Sequence, residues 1–325
     1  GSSLNAAQLQ GASFKSTKLQ NSSLREAQMQ GASFDQAQMQ GADLYLAQMQ
    51  GASLYGTQMQ GASLSSADMR GVGLVDTRLI GANLSGAQMQ GARGGLVHFQ
   101  GADLYGANLQ GAFLDESYFH GALMSTARLD GARLPEADLQ GANLTDATFH
   151  GADLEAANVW RSHASEHYGP KIDTATLVTI HATERRPINS QTRQTMTWDD
   201  AISRWLLSIP ESKQRDGARD RLSILTAPNG DNSPFKINWP PTDRQPEEAL
   251  VAKILGDLAC DASNAPYVAR GILSQIDASG GLGARDFDTV RTVFAKRLAD
   301  HVCAGARGLT DIERARLAKI ATAYD

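Results

Sequence analysis

Along the first half of the chain a large apolar residue returns every five positions. In GADLYLAQMQGASLYGTQMQ (residues 41–60) these are Leu44, Met49, Leu54 and Met59. A small residue stands two places before each, and the other three positions are polar or Gly. Every position ending in 4 or 9 from Leu4 to Val159 is Leu, Met, Phe or Val except Gly94, which makes 32 units in unbroken phase. A period of five matches neither a helix nor a strand. It fits a chain that turns through about a right angle every five residues, with the large and the small side chain inside. Four units then close a coil of 20 residues. Coils stacked at strand spacing, about 4.8 Å, bring like residues into ladders such as Leu4, Leu24, Leu44 and Leu64. Backbone groups pair from coil to coil, so a polar, Gly-rich chain still forms a solid body.

The runs Ala42-Asp43-Leu44, Ala82-Asn83-Leu84, Ala102-Asp103-Leu104, Ala142-Asn143-Leu144 and Ala152-Asp153-Leu154 resemble the A(D/N)LXX signature of the pentapeptide repeat family. The resemblance covers residues 1–160 and implies a right-handed quadrilateral β-helix of eight coils, about 38 Å long at strand spacing. Many units carry Ser or Gln where the family favours Asp or Asn, as in Ala47-Gln48-Met49.

Two features interrupt or decorate the repeat. In GARGGLVHFQ (91–100) Gly94 replaces the large residue and Val97 the small one. The expectation over Gly94, Gly95, Leu96 and Val97 is a bulge, with Leu96 or Val97 folding in; a protruding loop recognised by a partner is the alternative. Gln recurs at 10, 30, 50, 90 and 110, and again at 20, 40, 60, 100 and 140. These columns read as solvated, self-bonded surfaces, or as flat docking walls.

After Trp160 the pattern changes. Residues 161–196 read as a junction, in which 176–182 makes a short strand or edges the last coil. Residues 197–325 read as an α-helical domain of about six helices, giving a β + α chain overall. Thr197 with Asp200 forms a capping box opening a helix to Pro210, and a second helix follows from about 211 to 225. Residues 227–245 form a loop. Further helices start at Pro246 and Pro266, and a stripe runs from Phe287 to His301. Thr310 and Glu313 cap the last helix.

Charge changes the picture only when divided. The net charge of -5 excludes a general basic nucleic-acid binder. Residues 1–100 hold six Lys/Arg and five Asp/Glu; residues 101–160 hold Arg128 and Arg133 against Asp103, Asp115, Glu116, Asp130, Glu136, Asp138, Asp146, Asp153 and Glu155. These nine are the candidate interaction surface. Cys260 and Cys303 lack any metal or redox spacing and are expected to be buried thiols in a reducing compartment. His163 and His167 flank Glu166 without a third ligand. Residues 279–283 lack the context of a phosphate loop, and the basic residues of 213–221, like Arg185-Arg186, read as solvated faces. No apolar run reaches a membrane span and no signal peptide is visible.

The expectation is a non-enzymatic scaffold, cytoplasmic, with no cofactor and no metal, whose helical domain caps the last coil and binds a protein partner. Direct nucleic-acid binding and membrane contact of this segment are not expected; oligomers through the coil ends are. The resemblance implies two alternatives. One is a DNA mimic acting on gyrase or another topoisomerase. The other is the soluble part of a membrane-anchored parent.

Overall fold

The computed structural model describes residues 2–162, 164, 170–172, 180, 185–188, 192–226, 260, 295–296, 298, 303 and 309–321. Residues 2–162 form the four-sided solenoid. One residue in five pairs in parallel with the residue twenty further on, without a break from Ser3↔Ser23 to Asp138↔Asn158. Neighbouring coils exchange bonds in both directions: the Leu44 amide donates to the Ser63 carbonyl at 2.7 Å, and the Ser63 amide donates to that of Ala42 at 2.9 Å. The strand-like pieces are single residues because a corner follows each.

The corners are built by local chemistry. Their second residue has positive φ whether it is Leu46 (56°), Glu116 (52°) or Gly41 (66°). Where the signature places Asp or Asn, the side chain accepts the amide two residues on, as Asp43 does from Tyr45 at 3.1 Å and Asn83 from Ser85 at 3.0 Å. The inward residues from Leu19 to Val159 form one continuous buried cluster. Aromatic rungs keep the coil spacing, with Phe14 and Phe34 stacked at 5.0 Å and Phe99 and Phe119 at 4.8 Å. The small inward position also admits Thr, since Thr57 and Thr77 donate their hydroxyls to the carbonyls of Phe34 and Leu54.

The last coil is closed by chain that follows it. Strand β1 (Thr148–Phe149) pairs in parallel with β2 (Lys171–Ile172), a step of 23 residues instead of 20. Ile180 packs on the end of the core. At the other end Leu4, Leu9 and Phe14 are only partly covered.

Helix α1 (Trp198–Ser208) starts at the expected box: Thr197 Oγ1 accepts from the Asp200 amide at 3.2 Å and donates to the Asp200 carboxylate at 2.8 Å. Helix α2 (Lys213–Leu222) runs into a 3-10 turn, Ser223–Leu225. Helix α3 (Asp311–Ala321) opens on the Thr310–Glu313 box. The expectation that the helices cap the last coil is corrected for α1 and α2, which lie along the side of the rod. Ile209 and Ala218 pack on Ile80, while Leu222 and Leu225 join Trp160 and Trp198.

The seat for α2 is a column of corner glycines. A Cβ on Gly81 would meet Ile209 and Ala218, one on Gly101 would meet Leu222, one on Gly121 the Arg221 carbonyl, and one on Gly141 Ile224 and Leu225. A helical turn rises about 5.4 Å and a coil about 4.8 Å. Ala218, Leu222 and Leu225, three to four residues apart, therefore step onto successive coils. This separates two reasons for Gly: positive φ recurs every five residues and other residues tolerate it, whereas the glycines at 41, 61, 81, 101, 121 and 141 also clear space for 209–225.

Cys260 and Cys303 are joined in a disulfide, which corrects the expectation of two thiols. The remaining expectations for 163–167, most of 176–182, 227–245, the helices at Pro246 and Pro266, and 279–283 lie outside the described residues. So does the 287–301 stripe, except that Ala295, Lys296 and Leu298 are helical.

Candidate functional site

The register spreads the nine acidic candidates around the rod. Asp103 lies on one side, between Asn83 and Leu123, and Asp138 on another, between Tyr118 and Asn158. Five gather elsewhere. Asp115, Glu116, Glu136 and Glu155 occupy one corner column, and Asp153 the adjoining side. The corner is stacked by backbone bonds from the Glu116 amide to the Pro135 carbonyl at 2.9 Å and from Glu136 to Glu155 at 2.7 Å. Glu116, Glu136 and Glu155 are exposed. Arg133 reaches into this group, 3.2 Å from Asp115. Burial pushes the Asp115 carboxyl up to about 6, against the pull of Arg133; Asp153 and Glu116 add to the rise.

The other acidic residues are engaged within the chain. Asp130 accepts from the His150 ring and amide and from the Thr148 hydroxyl. The charge of Asp103 acts on Arg221 of α2. Burial holds that guanidinium below its ordinary value, opposed by Asp103 and Asp220, while its Nε donates to the Gly101 carbonyl at 2.9 Å. Arg221 is thus a docking residue, not a solvated one. Asp138 is 3.2 Å from His120 Nε2. Burial would raise the Asp138 carboxyl, but the charge and hydrogen bond of His120 and two hydrogen bonds from Gln140 outweigh it and hold it low. Asp146 sits at a half-buried corner with φ 56°.

The Gln columns bond diagonally. Gln10, Gln30 and Gln40 donate to Gln28, Gln48 and Gln58, eighteen residues on. The self-bonded reading holds, but neither column is solvated throughout: Gln30 of the first is buried. Gln60, Gln100 and Gln140 are buried, and Gln140 exchanges two hydrogen bonds, 2.9 Å each, with the Arg185 backbone.

Residues 94–97 form no bulge, which corrects that part of the expectation, while Val97 does fold in to fill the gap. Arg93 pairs with Phe113 and His98 with Tyr118 in normal register. Leu96 points outward, 43% exposed, and Val97 is fully buried. A Cβ on Gly94 would lie 2.6 Å from Val97 Cγ2 and 2.8 Å from Leu74 Cβ. The large and small positions have exchanged sizes, and the coil stays full.

The sequence reading missed an aromatic group beside Asp138. His98 and Tyr118 stack at 5.0 Å, and Trp205 and Trp198 tilt onto His120 at 5.3 and 5.5 Å. The available signal was the replacement of Gln by His98, Tyr118 and His120 in columns that are otherwise amide-rich.

Comparison with known proteins agrees with this architecture. The family model described as pentapeptide repeats matches in eight copies over residues 7–45, 37–71, 57–93, 98–134 and 122–161. The matches break at 94–97, where the sizes exchange. Among solved structures, HetL, a pentapeptide repeat protein involved in heterocyst differentiation regulation from the cyanobacterium Nostoc sp. strain PCC 7120, is 24% identical. The match covers 52% of this chain and 86% of HetL, with a TM-score of 0.37. Full-length QnrB1, a plasmid-mediated fluoroquinolone resistance protein, is 18% identical over 51% of this chain and 88% of its own, with a TM-score of 0.43. A pentapeptide repeat protein from the Arabidopsis thaliana thylakoid lumen is 21% identical over 41% and 69%, with a TM-score of 0.22. No curated protein matches the sequence.

Proposed function

Residues 7–161 belong to the pentapeptide repeat family, and from that premise we propose that the protein is a non-enzymatic scaffold that holds a protein partner against the outside of its rod. The observation that carries this reading is the corner where Glu116, Glu136 and Glu155 stand exposed on successive coils beside Asp115 and Asp153. The partner is expected to present a basic helix. The rod already seats one helix, α2, along the next corner, one turn per coil, and the acidic corner offers the same spacing with opposite charge to a basic face.

The DNA-mimic alternative fares worse on charge. Three coils span about 14 Å, over which duplex DNA carries about eight charges. Of the acidic residues in 101–160, Asp115 and Asp103 already face the guanidinium groups of Arg133 and Arg221. The outward charge therefore falls short of DNA. The Cys260–Cys303 disulfide fits an oxidising compartment better than the cytosol. Among the described residues no helix is long and apolar enough to cross a membrane.

Two assays separate these readings. Pull-down from native host extract with the full chain, against the Glu116→Gln/Glu136→Gln/Glu155→Gln variant, should lose a specific partner; equal retention by the variant refutes the corner. A supercoiling assay with purified gyrase should show no inhibition at low micromolar protein. Inhibition that weakens in the same variant would put DNA mimicry first.

A further inference from the structure

A cavity of about 450 Å³ lies between the rod wall at His98, Tyr118 and Asp138 and the segment Arg185–Ile188, with Arg204 and Trp205 of α1 on its far side. Its floor is aromatic: Tyr118 and His120 are 6.1 Å apart with planes 12° from parallel, and Trp205 leans onto His120. The floor is also uncharged at His98, because burial, helped by the charge of Arg78, lowers that imidazole to about 4. The exposed residues Arg185, Arg186 and Arg204 line the cavity with a single carboxylate, Asp138, which is already held by His120 and Gln140. Two lining residues, each 3% exposed, carry a buried polar atom without a partner: His120 at Nδ1, and Gln100 at Oε1, as Gln40 and Gln60 of the same column also do. His120 and Gln100 belong to one corner column, one coil apart.

We propose that this cavity binds a nucleoside monophosphate, or a ligand of the same make: a flat nitrogen heterocycle with N–H donors, joined to a phosphate. Stacked and tilted rings form a face on which a base can lie. Gln100 Oε1 is an acceptor. His120 Nδ1 is an acceptor too when Nε2 carries the proton donated to Asp138. An unpaired buried acceptor is costly, and the amino or ring N–H of a base would relieve that of His120, which is particular to this site. Guanidinium groups at the rim match a phosphate in charge and shape. The site uses none of the acidic-corner residues, so it stands or falls separately from the partner reading.

The test is isothermal titration of the full chain with AMP, GMP, CMP and UMP, and with adenosine, inorganic phosphate and phenyl phosphate as probes of the separate parts. At least one nucleoside monophosphate should bind saturably, one per chain. Adenosine, inorganic phosphate and phenyl phosphate should each bind at least about tenfold more weakly, since each lacks the charged contacts, the ring or the N–H donors. Arg204→Ala and Arg185→Ala should each weaken the nucleotide about tenfold or more. Lys15→Ala, on the first coil, should leave it unchanged. The proposal is overturned if no monophosphate binds at millimolar concentration. It is equally overturned if inorganic phosphate binds as tightly as the nucleotide, or if both arginine variants bind like the parent chain.

Discussion

Gly121 and Gly151 are both corner residues with positive φ, 59° and 65°, yet they should respond differently to the same substitution. Alanine at either position must adopt the left-handed conformation, which costs about 1–2 kcal/mol. At Gly151 nothing lies within 4 Å of the new Cβ, so the cost stops there. At Gly121 the Cβ would stand 2.8 Å from the Arg221 carbonyl oxygen and 3.1 Å from Leu222 Cα. Both are backbone atoms of α2, and no side-chain rotation relieves them. The helix must move outward, loosening Leu222 and the Arg221 bond to Gly101. Overpacking of this kind adds about 1–3 kcal/mol, which places Gly121→Ala at about 2–5 kcal/mol and Gly151→Ala at about 1–2. Urea unfolding followed by tryptophan fluorescence measures the difference, because Trp160, Trp198 and Trp205 all lie in the packed interface. Circular dichroism follows the coils in parallel. The fluorescence transition should shift to lower urea in Gly121→Ala, more than in Gly151→Ala. Equal shifts in the two variants would refute the glycine-seat account.

Three further outcomes follow from the same contacts. Gly94→Leu should lower stability by about 1–3 kcal/mol through collision with Val97 and Leu74, and Gly94→Leu/Val97→Ala should recover most of it; thermal melts of the four members of the cycle check this, and additive losses would sink the size exchange. Asp115 has a raised carboxyl, so its stabilising contribution is complete below about pH 4 and is lost as pH rises through about 6; melting curves of Asp115→Asn across that window should lack this slope, and a parallel slope would assign it elsewhere. Removing residues 163–325 strips β2 and Ile180 from the last coil and α1–α2 from the side, exposing Phe149, Trp160 and Ile80; light scattering should report association, and a soluble monomer would show that these segments are not needed as covers.

The sequence alone determined the rod. A five-residue period is a property of local backbone geometry repeated in place, so the 20-residue coil, the inward ladders from Leu19 to Val159 and the corners braced by the Asp43 and Asn83 side chains were legible in one dimension. The capping boxes at Thr197 and Thr310 were legible for the same reason, since their partners lie three residues away. Tertiary structure decided the rest. Nothing in the period distinguishes Gly121 from Gly151, or the buried Gln140 from the half-buried Gln10. The differences arise only when later chain lies against the rod: α2 in the corner of Gly121, its turn nearly commensurate with the coil spacing, and the Arg185 backbone against Gln140. Val97 rather than Leu96 turns inward because backbone register fixes which side faces the core, regardless of which side chain is larger. The Cys260–Cys303 bond, the His120–Asp138 pair and the cavity beside it likewise join groups distant in sequence, whose meeting depends on how packed surfaces fit and leaves no periodic trace.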